Sequence, residues 1–112
     1  MARHVYVILS NPVAGREDEY NDWYDNQHLA DVIREAGFTA CRRLRLSETE
    51  PPQDPAHRYL AMYEVETDDI DAVNARMLAA VGAGKIPLSP ALDLSTIQMW
   101  YFEQITERSA TS

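Results

Sequence analysis

The sequence predicts an α+β domain in which four strands form one antiparallel sheet with helices on one face. Three observations carry that prediction. Four short apolar segments, His4–Leu9, Phe38–Leu46, Arg58–Glu66 and Thr96–Ile105, are rich in β-branched and aromatic residues and read as strands. Two further segments, beginning at Glu17 and near Asp69, carry apolar residues at spacings of three and four and read as helices. The order βαββαβ then fills residues 1–112, a length that suits a single domain.

The first strand, HVYVIL, does not alternate, which predicts apolar surroundings on both faces, and Ser10, Asn11 and Pro12 end it. Gly15 is the pivot of a turn over Val13–Arg16. Glu17, Asp18 and Glu19 follow in the first helical turn, where carboxylates favour the positive end of the helix dipole. Tyr20, Trp23, Tyr24, Gln27 and His28 then recur on one side of the helix, and Leu29, Val32, Ile33 and Ala36 extend the stripe. A break is expected near Ala30, and Gly37 is a C-terminal stop.

The second strand, FTACRRLRL, separates Phe38, Ala40, Arg42, Leu44 and Leu46 from Thr39, Cys41, Arg43 and Arg45. Pro51, Pro52 and Pro55 mark Ser47–His57 as a loop. The third strand puts Tyr59, Ala61, Tyr63 and Val65 on one face. Asp68 or Asp69 caps the second helix, whose expected stripe is Ile70, Val73, Met77, Leu78 and Val81, with Gly82 and Gly84 at its end. Lys85–Ser95 is irregular, TIQMWYFEQI is the last strand, and the residues from Thr106 onward are expected to fray.

This order is the split-βαβ, ferredoxin-like arrangement. Strands one, three and four carry hydrophobic residues on both sides. A lone domain would leave one apolar sheet face in water, which soluble monomers avoid. Two sheets meeting face to face remove that exposure, so the expectation is a homodimer, a dimeric α+β barrel.

Composition narrows the function classes. The formal net charge of −8 disfavours nucleic acid and anionic membrane surfaces as partners. Cys41 is the one cysteine, so an intramolecular disulfide and a multi-cysteine metal site are both excluded. The N-terminal segment reads as neither a signal peptide nor a membrane span, leaving the cytoplasm as the expected compartment.

The run from Ser10 through Leu29, SNPVAGREDEYNDWYDNQHL, resembles the EthD-like branch of the dimeric α+β barrel superfamily, whose members open with a strand, an SNP-type turn and a helix bearing a Trp-Tyr pair and a later His. The stretches Ile86–Ser89 and Ala91–Thr96 resemble the approach to the last strand in that group, so the likeness spans about Val5 to Ile105. The resemblance implies the barrel fold. It implies a range of activities, because the superfamily includes polyketide cyclases, muconolactone-type isomerases, aldoxime dehydratases and haem-degrading or quinone-forming monooxygenases. Relatives commonly place Pro two residues after the His, where this chain has Ala30.

His28 is the leading candidate for acid–base work near neutral pH, with Asp25 three residues earlier to orient it and Tyr24 or Tyr20 to bond a substrate oxygen. The bland alternative is a His that fixes the end of a helix. Tyr20, Trp23 and Tyr24 are candidates to line a pocket for an aromatic ligand, although such stripes more often form core. His4 matches in position a strand His used by some plant cyclases of the superfamily; His57 sits in a Pro-rich loop. Arg43, from the basic cluster Arg42, Arg43 and Arg45, could hold a substrate carboxylate. No metal-ligand spacing and no Gly-rich phosphate loop occurs, so neither a metal nor a cofactor is expected. His28 or His57 could ligate haem, but no other feature points there.

The leading expectation is therefore a cofactor-independent cyclase, isomerase or lyase acting on a hydrophobic aromatic or polyketide-like molecule. The alternatives are a non-catalytic ligand-binding or accessory protein and a cofactor-free monooxygenase.

Overall fold

A computed structural model describes residues 1–110. Its elements are β1 (Ala2–Ser10), α1 (Glu17–Trp23), a π-helical turn (Tyr24–His28), α2 (Leu29–Ala36), β2 (Ala40–Arg45), β3 (Tyr59–Thr67), α3 (Ile70–Gly82) and β4 (Gln98–Glu103). The strands form one sheet of order β2-β3-β1-β4, and every neighbouring pair is antiparallel. This is the expected ferredoxin-like βαββαβ fold.

Strict alternation divides the sheet into two chemical faces. His4, Tyr6, Ile8 and Ser10 of β1 are buried on the helix side, as are Tyr59, Ala61, Tyr63 and Val65 of β3. Register sets Tyr6 beside both Tyr63 and Tyr101, so three tyrosines lie in a row across the sheet. The Tyr6 and Tyr101 rings stack at 4.2 Å. On the other face Val7 pairs with Trp100, Val5 with Phe102 and Leu44 with Leu60. That face carries Trp100 and Phe102 at 54% and 58% exposure.

The local expectations meet the structure unevenly. Asp69 caps α3 by accepting from the Ala72 N–H at 3.0 Å. Gly37 ends α2 with φ +83°, a conformation that favours glycine. The helix does not break at Ala30; it widens over Tyr24–His28, where the Leu29 N–H bonds the Tyr24 carbonyl five residues back. β2 is shorter than Phe38–Leu46, because Phe38 drops into the core after Gly37 and stacks parallel to Tyr6 before pairing begins at Ala40. On α3 the inward positions are Met77 and Ala80, while Leu78 and Val81 face outward. Pairing in β4 ends at Glu103, leaving Ile105 fully in solvent. Thr106–Ala110 carry no regular structure, and the fraying expected at residues 111 and 112 lies outside the described residues. No helix among the described residues is long and apolar enough to cross a membrane.

The loops tie the layers together. The Val13 N–H donates to the Ala91 carbonyl at 2.7 Å, and Ile86, Ala91 and Leu92 bury themselves against the core. Asn11 spans the start of β3: its amide donates to the Ala56 carbonyl, and its oxygen accepts from the Arg58 N–H.

Candidate functional site

The π turn builds the site. One extra residue in the turn brings Trp23, Tyr24 and His28 inward together, while Asp25, Asn26 and Gln27 face solvent. The His28 ring stacks on Trp23 at 4.3 Å and meets Tyr24 edge-on at 5.0 Å. Trp23 is itself anchored by its indole N–H, which donates to the Pro87 carbonyl. His28 is 5% exposed, and its Nδ1 has no hydrogen-bond partner among the described residues. Burial lowers its pKa to about 4, against the opposing pull of the Asp31 carboxylate and with a smaller push in the same direction from Arg43.

Arg43 comes from β2 on the same layer. Its guanidinium carbon lies 4.3 Å from the Tyr24 ring centre and 5.4 Å from those of Tyr20 and Tyr59. Its nitrogens donate to Asp25 Oδ1 at 2.7 Å and Asn21 Oδ1 at 2.8 Å. The expected pairing of Asp25 with His28 is therefore corrected: in the widened turn Asp25 points outward, and Arg43 takes its carboxylate. Cys41 shares the Arg43 face and is half-buried beside the core, with burial pushing its thiol pKa up.

Beneath Arg43 lies a tyrosine cluster with polar ends. Tyr20 OH and Ser10 Oγ share a buried hydrogen bond of 2.6 Å. The Tyr59 hydroxyl donates to Glu17 Oε2 and accepts from the Asn21 amide at 3.3 Å. That bond holds the Glu17 carboxyl below the usual carboxylate range, and Arg58 adds to the effect. Burial pushes Tyr20, Tyr24, Tyr63 and Tyr101 upward, so all four hydroxyls are protonated at neutral pH. The Tyr63 and Tyr101 hydroxyls are buried without a partner among the described residues. Such atoms call for an explanation in a folded protein.

The cluster opens toward a cleft of about 1240 Å³ whose wall includes Glu17, Arg45, Arg58 and Tyr59, with the loop from Leu46 to Gln53 opposite. His57 fastens the far end of that loop through Nε2 and the Thr96 carbonyl at 2.7 Å. His4 is buried on the helix side of β1 but six residues from Ser10, roughly 20 Å along an extended strand. It is therefore separate from the Ser10–Tyr20 end of the cluster. No group of three or more His, Cys, Asp or Glu among the described residues is arranged to hold a metal ion.

Ser10, Glu17, Asn21, Tyr59 and Tyr63 were not singled out from the sequence. The alternation of β3 was the available signal, since it aligned Tyr59 and Tyr63 on the helix side. The partners of Tyr59 on α1, Asn21 and Glu17, lie 38 and 42 residues away, beyond any local pattern.

No protein-family model matches the chain, and no curated protein matches it. Solved structures share its fold. An ethyl tert-butyl ether D (EthD) family protein from Bacillus halodurans superposes with a TM-score of 0.65 at 11% identity, over 94% of this chain and 100% of that one. An EthD-like protein from Ralstonia eutropha gives 0.58 at 16% identity, over 97% and 98%. An MhuD variant with two manganese protoporphyrin IX molecules bound per active site gives 0.62 at 19% identity, over 96% and 99%. The EthD-like resemblance read from Ser10–Leu29 is thus met at the level of the fold.

Proposed function

We propose that this chain is a cofactor-independent enzyme that moves a proton on a small hydrophobic, aromatic or polyketide-like molecule, in a cyclisation, isomerisation or lyase reaction. One observation carries the reading: His28 is buried against Trp23 and Tyr24 with Nδ1 unpartnered and a pKa lowered to about 4. The imidazole is neutral at pH 7 with a free nitrogen able to accept a proton, and the burial that keeps it neutral also makes it a weaker base than a free histidine. It would take a proton from the carbon beside a carbonyl. The Tyr24 hydroxyl, with Tyr20 next to it, would donate to the oxygen on which charge develops. The imidazolium and enolate formed together stabilise one another where the effective dielectric constant is low. Asp25 has no part in this step.

The test is solvent-deuterium incorporation into aromatic ketones such as 2-tetralone, followed by NMR. Wild type is expected to accelerate exchange, and His28→Gln to reduce it by about 10²-fold or more at unchanged secondary structure. Exchange equal in both proteins, or absent in wild type, overturns the reading. The close packing of His28 on Trp23 also favours a second reading, a non-catalytic ligand-binding or accessory protein, for which binding without exchange is the signature. Oxygen uptake with the same probes would identify a cofactor-free monooxygenase.

The proposed working form is a cytoplasmic homodimer joined through the sheet faces. Val5, Val7, Leu60, Met62, Trp100 and Phe102 support it, as they form a continuous apolar surface opposite the helices. A porphyrin does not fit this chain as folded. Tyr6, Phe38, Tyr63 and Tyr101 stack through the space between helices and sheet, and His28 is turned onto Trp23.

A further inference from the structure

We propose that the site takes an aromatic carboxylate, with Arg43 as its anchor and the Asp25 carboxylate as a placeholder that the ligand displaces. The inference deepens the reading above, since it rests on the helix–sheet cluster being a small-molecule site, and it names the ligand's charge.

Arg43 is costly where it stands. Its side chain is 12% exposed, whereas the arginines of the other ion pairs are 40–59% exposed. A guanidinium withdrawn from water destabilises the fold unless it is fully paired, and an apolar residue of similar size serves a core better. The pairing here is partial. One nitrogen meets Asp25, another meets Asn21, and the remaining surface lies over the rings of Tyr20, Tyr24 and Tyr59.

The two halves of the Asp25–Arg43 pair are unequal. Asp25 is 59% exposed, so water already competes for its carboxylate and the pair is easily exchanged. Arg43 keeps its position when Asp25 leaves, because the tyrosine faces and the Asn21 oxygen still hold it. Its planar fork then matches an incoming carboxylate with two parallel hydrogen bonds. The tyrosine cluster beneath is closed, with Tyr20, Tyr24 and Tyr59 at 0%, 2% and 5% exposure, so an aromatic body attached to that carboxylate packs against the outer edge of the cluster.

The anchor meets solvent on the side of Asp25, whose side chain is 59% exposed, and the 1240 Å³ cleft adjoins it only through Tyr59, whose ring lies under Arg43. Arg45 and Arg58 stand on its wall together with Glu17, Glu48 and Glu50, and Glu17 is engaged by Tyr59 and Arg58. Arg45 stands opposite Tyr59 in the β2–β3 register and Arg58 precedes it in sequence, so two further cations flank the tyrosine whose ring lies under Arg43.

The experiment measures dissociation constants of the full chain at pH 7.5 for 1-naphthoate and for its neutral counterpart 1-acetonaphthone. Wild type is expected to prefer 1-naphthoate by about tenfold or more, the worth of a charge-assisted bidentate pair. Asp25→Asn, a surface change, is expected to tighten 1-naphthoate by a few fold and leave 1-acetonaphthone unchanged. Arg43→Lys keeps the charge and loses the fork, and should weaken 1-naphthoate by about tenfold and so narrow its preference over 1-acetonaphthone. Equal affinities for the two probes, binding of neither at millimolar concentration, or indifference of 1-naphthoate to both substitutions overturns the proposal. Selective 1-naphthoate binding without deuterium exchange in any ketone leaves the anion site standing and removes the proton-transfer reading. Exchange of 2-tetralone without preference for 1-naphthoate does the reverse.

Discussion

The imidazole of His28 lies 4.3 Å from the indole of Trp23, ring centre to ring centre, with the planes inclined by 27°. Both rings are buried, so protonating His28 would place a charge in apolar surroundings with no partner on Nδ1. Its pKa is about 4 in the folded chain against 6.5 for the free side chain. The unfolded chain therefore binds more protons between those two values, and stability falls as pH drops through that window. At pH 5 the loss relative to pH 8 is about 2 kcal/mol from this group. Urea unfolding of wild type and His28→Gln at both pH values measures it: the substituted chain should lack that part of the acid sensitivity. Identical pH dependence in the two chains would show that His28 is not held neutral by burial.

Ser10 and Tyr20 form a closed polar pair inside the core, both almost inaccessible to solvent. Either single truncation, Ser10→Ala or Tyr20→Phe, leaves one buried hydroxyl unpaired and should cost about 1–3 kcal/mol. The double variant removes both hydroxyls and should cost less than the sum of the two. A double-mutant cycle by urea unfolding reads this directly, and strict additivity would mean that the bond contributes nothing.

Glu17 and Tyr59 couple the first turn of α1 to β3. The Tyr59 hydrogen bond is the largest cause of the lowered Glu17 pKa. A lowered carboxyl contributes stability above its unfolded pKa, and that contribution disappears as pH falls through the folded value. In Tyr59→Phe the Glu17 carboxyl should titrate higher, closer to the ordinary 4.5, as followed by ¹³C NMR of the side-chain carboxyl. An unmoved titration would place the cause elsewhere, in Arg58.

The sequence made the architecture legible because one sheet face is buried. Tyr59, Ala61, Tyr63 and Val65 alternate with half-buried or exposed residues, and a register slip would have turned all four to the other face. Asp69 and Gly37 were legible for a local reason: caps depend on the residue itself. The π turn was not legible, since Tyr20, Trp23, Tyr24, Gln27 and His28 satisfy helical spacing in either geometry. Widening the turn exposes Gln27 and buries His28. The same change carries Asp25 away from His28. Its actual partner, Arg43, is 18 residues distant and reaches it only because β2 packs beside α1. The tyrosine cluster was hidden likewise: its polar ends are joined across 10 and 42 residues.

The apolar sheet face yields the prediction on which the barrel depends. Val7 pairs with Trp100 and Val5 with Phe102 on the face opposite the helices, and both aromatic rings are more than half exposed in the single chain. A second sheet laid against that face would bury them at its centre, where aromatic residues carry most of the association energy. Trp100→Glu puts a charge there without touching the helix-side core, because Trp100 and Tyr101 point to opposite faces. Sedimentation equilibrium should find wild type dimeric at micromolar concentration, and Trp100→Glu weakened by about 100-fold or more. Phe102→Glu should act alike, whereas Leu78→Glu, on the outward side of α3, should leave the dimer intact. A wild-type chain that remains monomeric at hundreds of micromolar would remove the barrel, although His28, Arg43 and the tyrosine cluster, all on the helix side of one chain, would keep their geometry.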